Sequence, residues 1–302
     1  MLIITEGDPS SISPEIIVKS LKKLPSQIRN KIILIGEETS LKKYGFNLEL
    51  ATLLPTTIPN FKLLKGPNAL SGELSFKFLE IGLKILKSKR AKALITGPIS
   101  KKAWEVAGIK YRGHTEYFRS YFKKELLMSF IGKNIKTALV FEHIPLRSIP
   151  NLINKKLIIK KAKLFKKLLG LLNSDEEIII TGLNPHCGDG GVIGDEEIKH
   201  IIPAVKELKE KGIKTSGPFN PEDVLKKIEG RRKGGLFLYH DQLLPLIKTK
   251  YFPEITHITF GLDFIRTSPV HGTAFDIVGK NRADFMPMYN AIMTAYKISS
   301  NE

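Results

Sequence analysis

Three of the seven histidines stand where a short apolar stretch gives way to polar punctuation. His143 follows Ala138 to Phe141, His186 follows Ile178 to Leu183, and His240 closes Gly235 to Tyr239. Each has a polar or loop-forming neighbour: Glu142 beside His143, Asn184-Pro185 before His186, Asp241-Gln242 after His240. A lone histidine in such a place is more often a satisfied core or surface residue. Three at one end of one sheet could converge on a divalent ion and leave positions open for substrate, as catalytic rather than structural sites do. The single cysteine, Cys187, excludes an intrachain disulfide and a multi-cysteine zinc cluster, so His and carboxylates are the ligand set available.

Other residues suit anion binding. His114 and Thr115, in Gly113-His114-Thr115-Glu116, read as a helix start where a phosphate would meet backbone N–H groups and a hydroxyl. Lys248, eight residues after His240, and Arg266, in Phe264-Ile265-Arg266-Thr267-Ser268, are cations in otherwise apolar segments. Such cations either snorkel to water or meet an anion, and the Thr-Ser neighbours of Arg266 favour an anion. Gly188, Gly190 and Gly194 follow a strand-like run, but their spacing is one residue longer than a dinucleotide fingerprint and the tight turn is missing. The loop reads instead as a cradle or a structural excursion needing positive φ. P-loop, zincin, serine-hydrolase and kinase motifs are absent from the sequence.

The elements that must position these groups alternate. Strands are expected at Leu2 to Thr5, Lys31 to Ile35, Ala93 to Thr96, Ala138 to Phe141, Glu177 to Leu183, Gly235 to His240 and Thr256 to Gly261. Helices fill the gaps. Ser13-Pro14-Glu15 supplies a cap, a first-turn proline and an acidic first turn for a helix to about Lys23, and Asn220-Pro221-Glu222-Asp223 repeats that signature. Another helix is expected from about Asp195 to Lys211, stopped by Gly212. The pattern is that of an α/β protein with a mostly parallel sheet, in which ligands bind beyond the carboxyl ends of the strands.

At 302 residues the chain has room for about two domains. Its 42% apolar content excludes wholesale disorder. No apolar run reaches the ~18 residues of a spanning helix, and Met1 to Ile4 runs directly into Glu6 and Asp8, so a soluble cytoplasmic protein without anchor or signal is expected. The net charge of +18 raises a nucleic-acid reading, yet only nine of the 48 basic residues are arginine. Runs such as Lys155 to Leu169 place Lys on the polar side of a helical period, which makes solvated helix faces the plainer explanation and nucleic acid an unfavoured partner.

Across nearly the whole chain the sequence resembles the 4-hydroxythreonine-4-phosphate dehydrogenases of vitamin B6 biosynthesis. The resemblance is carried by Gly7-Asp8-Pro9 with Ser13-Pro14-Glu15, Ile95 to Lys101, Gly113-His114-Thr115-Glu116, His143-Ile144-Pro145-Leu146-Arg147, Gly182-Leu183-Asn184-Pro185-His186, Tyr239-His240-Asp241-Gln242, and Gly261 to Ala274. The segment His271 to Gly279 is also similar to the adenosine-binding loop of isocitrate and isopropylmalate dehydrogenases, whose fold that family shares. The resemblance therefore implies two α/β domains sharing a mostly parallel sheet core, with the active site in the interdomain cleft. By that analogy an outer domain comprises residues 1–124 plus 280–302, and a central domain, 125–279, carries the metal histidines and the dimer interface.

The resemblance also implies roles. His143, His186 and His240 match metal ligands for Zn, Mg or Co, with His240 contributed by the partner subunit of a homodimer. His114, Thr115, Lys248 and Arg266 match substrate-binding positions, and His271, Gly272, Thr273, Ala274 and Asp276 match the cofactor loop for NAD or NADP. Asp241 or Lys248 would assist proton removal. The implied reaction oxidises 4-phosphooxy-L-threonine to 2-amino-3-oxo-4-phosphooxybutanoate, which loses carbon dioxide to give 3-amino-2-oxopropyl phosphate. The chain departs from the family pattern at Ser10-Ser11-Ile12-Ser13, Leu243, Pro269-Val270 and His257, which stands at a substrate-contacting position usually held by Asn. His257 keeps a related substrate class, D-threonate or D-erythronate 4-phosphate, as the alternative.

Overall fold

A computed structural model describes residues 1–56 and 66–300; residues 57–65 and 301–302, which the expected outer domain would include, lie outside the described residues. In chain order the strands are β1 (Leu2–Thr5), β2 (Ile32–Gly36), β3 (Thr52–Pro55), β4 (Ala93–Thr96), β5 (Leu127–Ile131), β6 (Lys136–Leu139), β7 (Glu177–Thr181), β8 (Thr215–Phe219), β9 (Lys233–Phe237), β10 (Thr256–Phe260) and β11 (Ile265–Ser268). Two compact units form, Met1–Glu125 with Leu262–Glu302, and Leu126–Gly261. Residues 262–279, expected in the central domain, group instead with the terminal segments. The reason is β11, which runs parallel to β4 with Arg266 opposite Leu94 and Thr267 opposite Ile95.

In the first unit the strands run in the order β3-β2-β1-β4-β11, all parallel. β1 and β4 are buried along their whole length, as expected of parallel strands covered on both faces. The helices Ala69–Lys87 and Met286–Ser300 pack on this sheet, and Ser13–Lys23 packs on Met286–Ser300. Ser13 is the first helical residue rather than the cap, and its hydroxyl donates to the Glu6 carbonyl, pinning the helix start to the end of β1.

The second unit runs β10-β5-β6-β9-β7-β8. β5 pairs antiparallel with β10 and β6, whereas β6, β9, β7 and β8 are parallel neighbours. Both units are thus α/β, as the sequence predicts. The strands expected at Ala138 to Phe141 and Gly235 to His240 end two or three residues earlier, and His240 opens the helix His240–Tyr251. The helix expected from Asp195 is divided into a π-helical turn, Glu197–Ile201, and the α-helix Ile202–Glu210. Pro203 has no N–H and its ring crowds the carbonyl four residues back, so the wider turn forms just before it. Gly212 stops the helix with φ +75°.

The lysine-rich helix Lys155–Leu171 buries Ile158, Ile159, Ala162, Phe165, Leu168 and Leu169 and turns most of its lysines outward. Lys161 departs from that pattern: it is buried, donates to the Leu126 carbonyl at 2.5 Å and lies 3.9 Å from Glu142. Many other lysines pair along helix faces, such as Lys42 with Glu38 at 2.7 Å and Lys199 with Asp195 at 2.5 Å. Among the described residues no helix is long and apolar enough to cross a membrane.

Candidate functional site

In the first unit β2 and β3 lie to one side of β1, and β4 and β11 to the other. The chain reverses its direction of sheet growth between β1 and β4, which opens a crevice beyond their carboxyl ends. Gly97 sits in that crevice: its N–H donates to the Thr5 carbonyl at 2.9 Å, and any side chain there would collide with the Glu6 carbonyl oxygen. Gly97, Pro98 and Ile99 line a cavity together with His114, Arg266, Ser268, Pro269, His271 and Gly272.

Arg266 dominates the electrostatics of this cavity. It is 3% exposed, and its Nη2 donates to Thr96 Oγ1 at 2.6 Å. Arg266 faces Leu94 across the β11/β4 ladder, so Thr96, two residues on, presents its side chain on the same face. The same Nη2 lies 3.4 Å from His114 Nδ1, and the guanidinium carbon is 5.9 Å from the Phe118 ring centroid. A guanidinium only donates, so this contact becomes a hydrogen bond in the His114 tautomer that leaves Nδ1 free to accept. Trp104 meets the His114 ring edge-on and Phe118 stacks on it, fixing its plane. Burial pushes the Arg266 pKa down to about 9. The group is cationic at neutral pH but its charge is poorly solvated, and an anion in the cavity would stabilise it.

His114 is buried at the first turn of the helix His114–Phe122, with Thr115 half-buried beside it. His271 and Gly272 line the same cavity as Arg266 and His114, so two positions from each expected class, substrate and cofactor, share one hollow. Thr273 is tied to the first loop by Ile12 N–H at 3.2 Å, Ala274 is left-handed at φ 41°, and Asp276 is exposed in the short turn Phe275–Ile277.

Sequence reasoning passed over the carboxyls beside this crevice. Asp8 N–H donates to Pro98 O at 2.8 Å and its Oδ1 accepts from Ser10 N–H at 2.8 Å; burial pushes its carboxyl up to about 6. Glu6 is pushed up to about 8, chiefly by burial, with Glu37 and Asp8 adding like charge. Acidic residues directly after a strand are the available sequence signal, but burial is what perturbs them, and burial is tertiary.

In the second unit the topology brings the three histidine exits to one edge. His143 follows β6, His240 follows β9 and His186 follows β7, and these three strands are adjacent and parallel. The His143 and His240 rings are 5.5 Å apart, centroid to centroid. His240 Nδ1 lies 3.2 Å from Asp241 Oδ1, an arrangement that leaves Nε2 as the ligating nitrogen. His143 and His186 are exposed and His240 is half-buried. Among the described residues no group of three His, Cys, Asp or Glu side chains is gathered to hold an ion. Within one chain the close pair is therefore His143 with His240, and His186 is not gathered with them. Lys248 is exposed on the helix begun by His240, and His257 is half-buried on β10 with its ring 5.4 Å from Phe130.

Two further residues organise these exits. Gln242 Oε1 accepts from Thr181 Oγ1 and from Leu238 N–H, each at 2.8 Å, and Nε2 donates to Gly182 O at 2.7 Å. Glu197 accepts from the N–H groups of Leu183 and Asn184 at 2.7 and 2.8 Å. Gln242 was visible only as a neighbour of His240, and nothing in the local sequence of Glu197 marks it.

The fold is that of α/β dehydrogenases. A beta-decarboxylating dehydrogenase from Thermococcus kodakarensis superimposes over 98% of this chain and 82% of its own with a TM-score of 0.51 at 15% identity, a likeness of fold alone. A family profile described as "Pyridoxal phosphate biosynthetic protein PdxA" matches residues 13–295, and the chain belongs to that family. It is 38% identical to a 4-hydroxythreonine-4-phosphate dehydrogenase of Sulfurihydrogenibium sp., covering 94% of this chain and 93% of the relative. A crystal structure of 4-hydroxythreonine-4-phosphate dehydrogenase from Klebsiella pneumoniae matches with a TM-score of 0.84 at 27% identity, over 99% of this chain and 98% of the other. The chain is thereby an oxidoreductase of pyridoxal phosphate (vitamin B6) biosynthesis.

Proposed function

We propose that the chain oxidises the secondary hydroxyl of 4-phosphooxy-L-threonine with NAD or NADP, and that the β-keto acid formed loses carbon dioxide to give 3-amino-2-oxopropyl phosphate. The observation that carries this reading is the buried Arg266 guanidinium, steadied by Thr96 and His114 in a cavity, which suits a phosphate group. His114 lines the same cavity as a second group for that phosphate, and Thr115 adds a hydroxyl at the helix start.

The donor set fits a divalent metal: His143 and His240 are close, and the Asp241 carboxylate against His240 Nδ1 leaves Nε2 for ligation. We assign His143, His186 and His240 as ligands, with His240 of one subunit completing the set begun by His143 and His186 of the other. Exposed apolar residues on the second unit support that assembly, among them Val192 at 84% exposure with Ile193, Ile198 and Ile202. The loop from His271 to Asp276 suits the dinucleotide, since Gly272 opens onto free space and Ala274 is left-handed. A divalent cation held by the three histidines would supply Lewis acidity toward developing negative oxygen, and a nicotinamide held by the loop would supply a hydride acceptor.

The chain's own groups then divide the remaining work. Asp241 is committed to the His240 ring, which leaves Lys248, about two turns along the same helix, for proton handling. His257 and Lys248 are assigned to the substrate as well. The single Cys187 and the metabolic family fit a cytoplasmic location.

The test is NADH formation by the purified protein, supplied with divalent metal and NAD, from synthetic 4-phosphooxy-L-threonine, repeated with a chelator and with D-threonate 4-phosphate. Chelator-sensitive turnover of the amino acid phosphate is expected. Turnover of the sugar acid phosphate alone moves the assignment to that substrate class, and turnover of neither overturns it.

A further inference from the structure

We propose that Glu197 is the positioning residue for His186, its carboxylate holding the turn from which that imidazole is presented; this rests on the reading of His186 as a metal ligand. From His186 to Gly190 every residue has positive φ, at 51°, 56°, 81°, 43° and 65°. His186, Cys187 and Asp189 are not glycine, and although His and Asp enter this region more readily than most residues, they do so singly, whereas here five residues in a row are held in it. A loop so contorted needs an anchor at its root.

Glu197 is that anchor. It is buried, at the first position of the π-helical turn Glu197–Ile201. Its Oε1 accepts both backbone N–H groups that follow β7, Leu183 at 2.7 Å and Asn184 at 2.8 Å. Its Oε2 accepts from Asn184 Nδ2 at 2.8 Å, and that nitrogen also donates to Glu196 Oε2 at 2.7 Å. From there the chain is passed on by Cys187 N–H to Asn184 O at 3.1 Å and Ile193 N–H to Gly188 O at 3.1 Å. Gly188 lies directly over the carboxylate: a Cβ there would meet Glu197 Oε2 at 2.8 Å. One buried carboxylate thus bonds the loop before His186 and leaves room for no side chain at Gly188 after it. An ionised carboxylate accepts three hydrogen bonds here without competition, whereas an amide has one oxygen and would turn a donor toward Asn184.

The test compares Glu197→Ala, Glu197→Gln and His186→Ala in the full-length protein, titrating Co²⁺ by calorimetry and following amide hydrogen exchange over residues 183–194. Glu197→Ala should weaken Co²⁺ binding by about 10–100-fold and speed exchange across the loop, with kcat recovering at saturating metal, because the ligand remains but is no longer held. Glu197→Gln, which keeps the shape and two of the three bonds, should lie between; if the Ala variant fails to fold, this variant carries the same comparison. Parental Co²⁺ affinity in the Glu197 variants, with binding lost in His186→Ala, would overturn the positioning role alone. Parental affinity in His186→Ala would overturn the metal reading and this proposal together.

Discussion

Gln242 accepts the Thr181 hydroxyl proton at 2.8 Å, joining the residue two beyond His240 to the last residue of β7. The same amide takes the Leu238 N–H and gives a proton to the Gly182 carbonyl, so the exits of β9 and β7 share one side chain. Gln242→Leu removes all three bonds and leaves buried groups unsatisfied, at about 1–3 kcal/mol each and less in sum as the site relaxes. A urea midpoint well below the parent's is expected, with Thr181→Ala costing less. An unchanged midpoint in Gln242→Leu would show that the amide is not a structural tie.

Arg266 should separate stability from function. Arg266→Met removes a buried cation whose desolvation is costly, so thermal stability is expected to hold or rise. Phosphate-end recognition should fall, with kcat/KM lower on the order of 10²–10³-fold. Arg266→Lys should not restore it, since an ammonium is a point donor without the planar fork that lets one guanidinium nitrogen hold Thr96 while another faces a phosphate oxygen. Melting temperatures and steady-state kinetics of both variants check this, and full activity in Arg266→Met would remove Arg266 from the site.

Glu6 makes stability depend on pH in a stated direction. Glu6 is fully buried, and that burial favours its protonated form more than the bonds donated to it by Ser40 Oγ and Glu37 N–H favour the carboxylate. That agrees with a carboxyl pushed up to about 8 from a usual 4.5. The folded state then binds a proton that the unfolded state releases, and stability contributed by this group falls as pH rises from about 4.5 to 8. Glu6→Gln, which cannot ionise and keeps an oxygen to accept from Ser40 Oγ, should flatten that fall. Denaturation midpoints at pH 5 and pH 8 measure it; equal pH slopes in parent and variant would sink the assignment.

Asp241 should act on metal affinity rather than on the fold. Its carboxylate accepts from His240 Nδ1 and is 83% exposed on its side chain, so Asp241→Asn should leave the melting temperature within experimental error. Loss of the ring's orientation is expected to weaken divalent metal binding by about tenfold or more. Calorimetric titration with Zn²⁺ distinguishes this from a solvent-exposed bystander, which would leave affinity unchanged.

The alternation of apolar runs with amphipathic helices was legible because periodicity is a local property. β1, β4 and β7 are Leu-Ile-Ile-Thr, Ala-Leu-Ile-Thr and Glu-Ile-Ile-Ile-Thr, and their apolar runs announce buried parallel strands. β8, Thr-Ser-Gly-Pro-Phe, carries turn residues and was not legible, although β7 pairs with it through Ile178 and Thr215. β11 is four residues long with a central arginine, and its pairing with β4 moved residues 262–279 into the terminal unit.

The histidines at strand exits could be named from residue type and position, as could Arg266 as a cation out of place. What one residue does to another across the fold could not. Thr96 and His114 reach Arg266 from 170 and 152 residues away, Thr181 reaches Gln242 from 61 away, and Glu197 seizes a turn 13 residues behind it. The sequence by itself determined the alternating elements and the chemical identity of the groups at their ends, because both depend on neighbours along the chain. Which groups meet, and which carboxyls and cations lose their water, was decided only by tertiary packing, because burial and hydrogen-bond partners come from segments far apart in sequence.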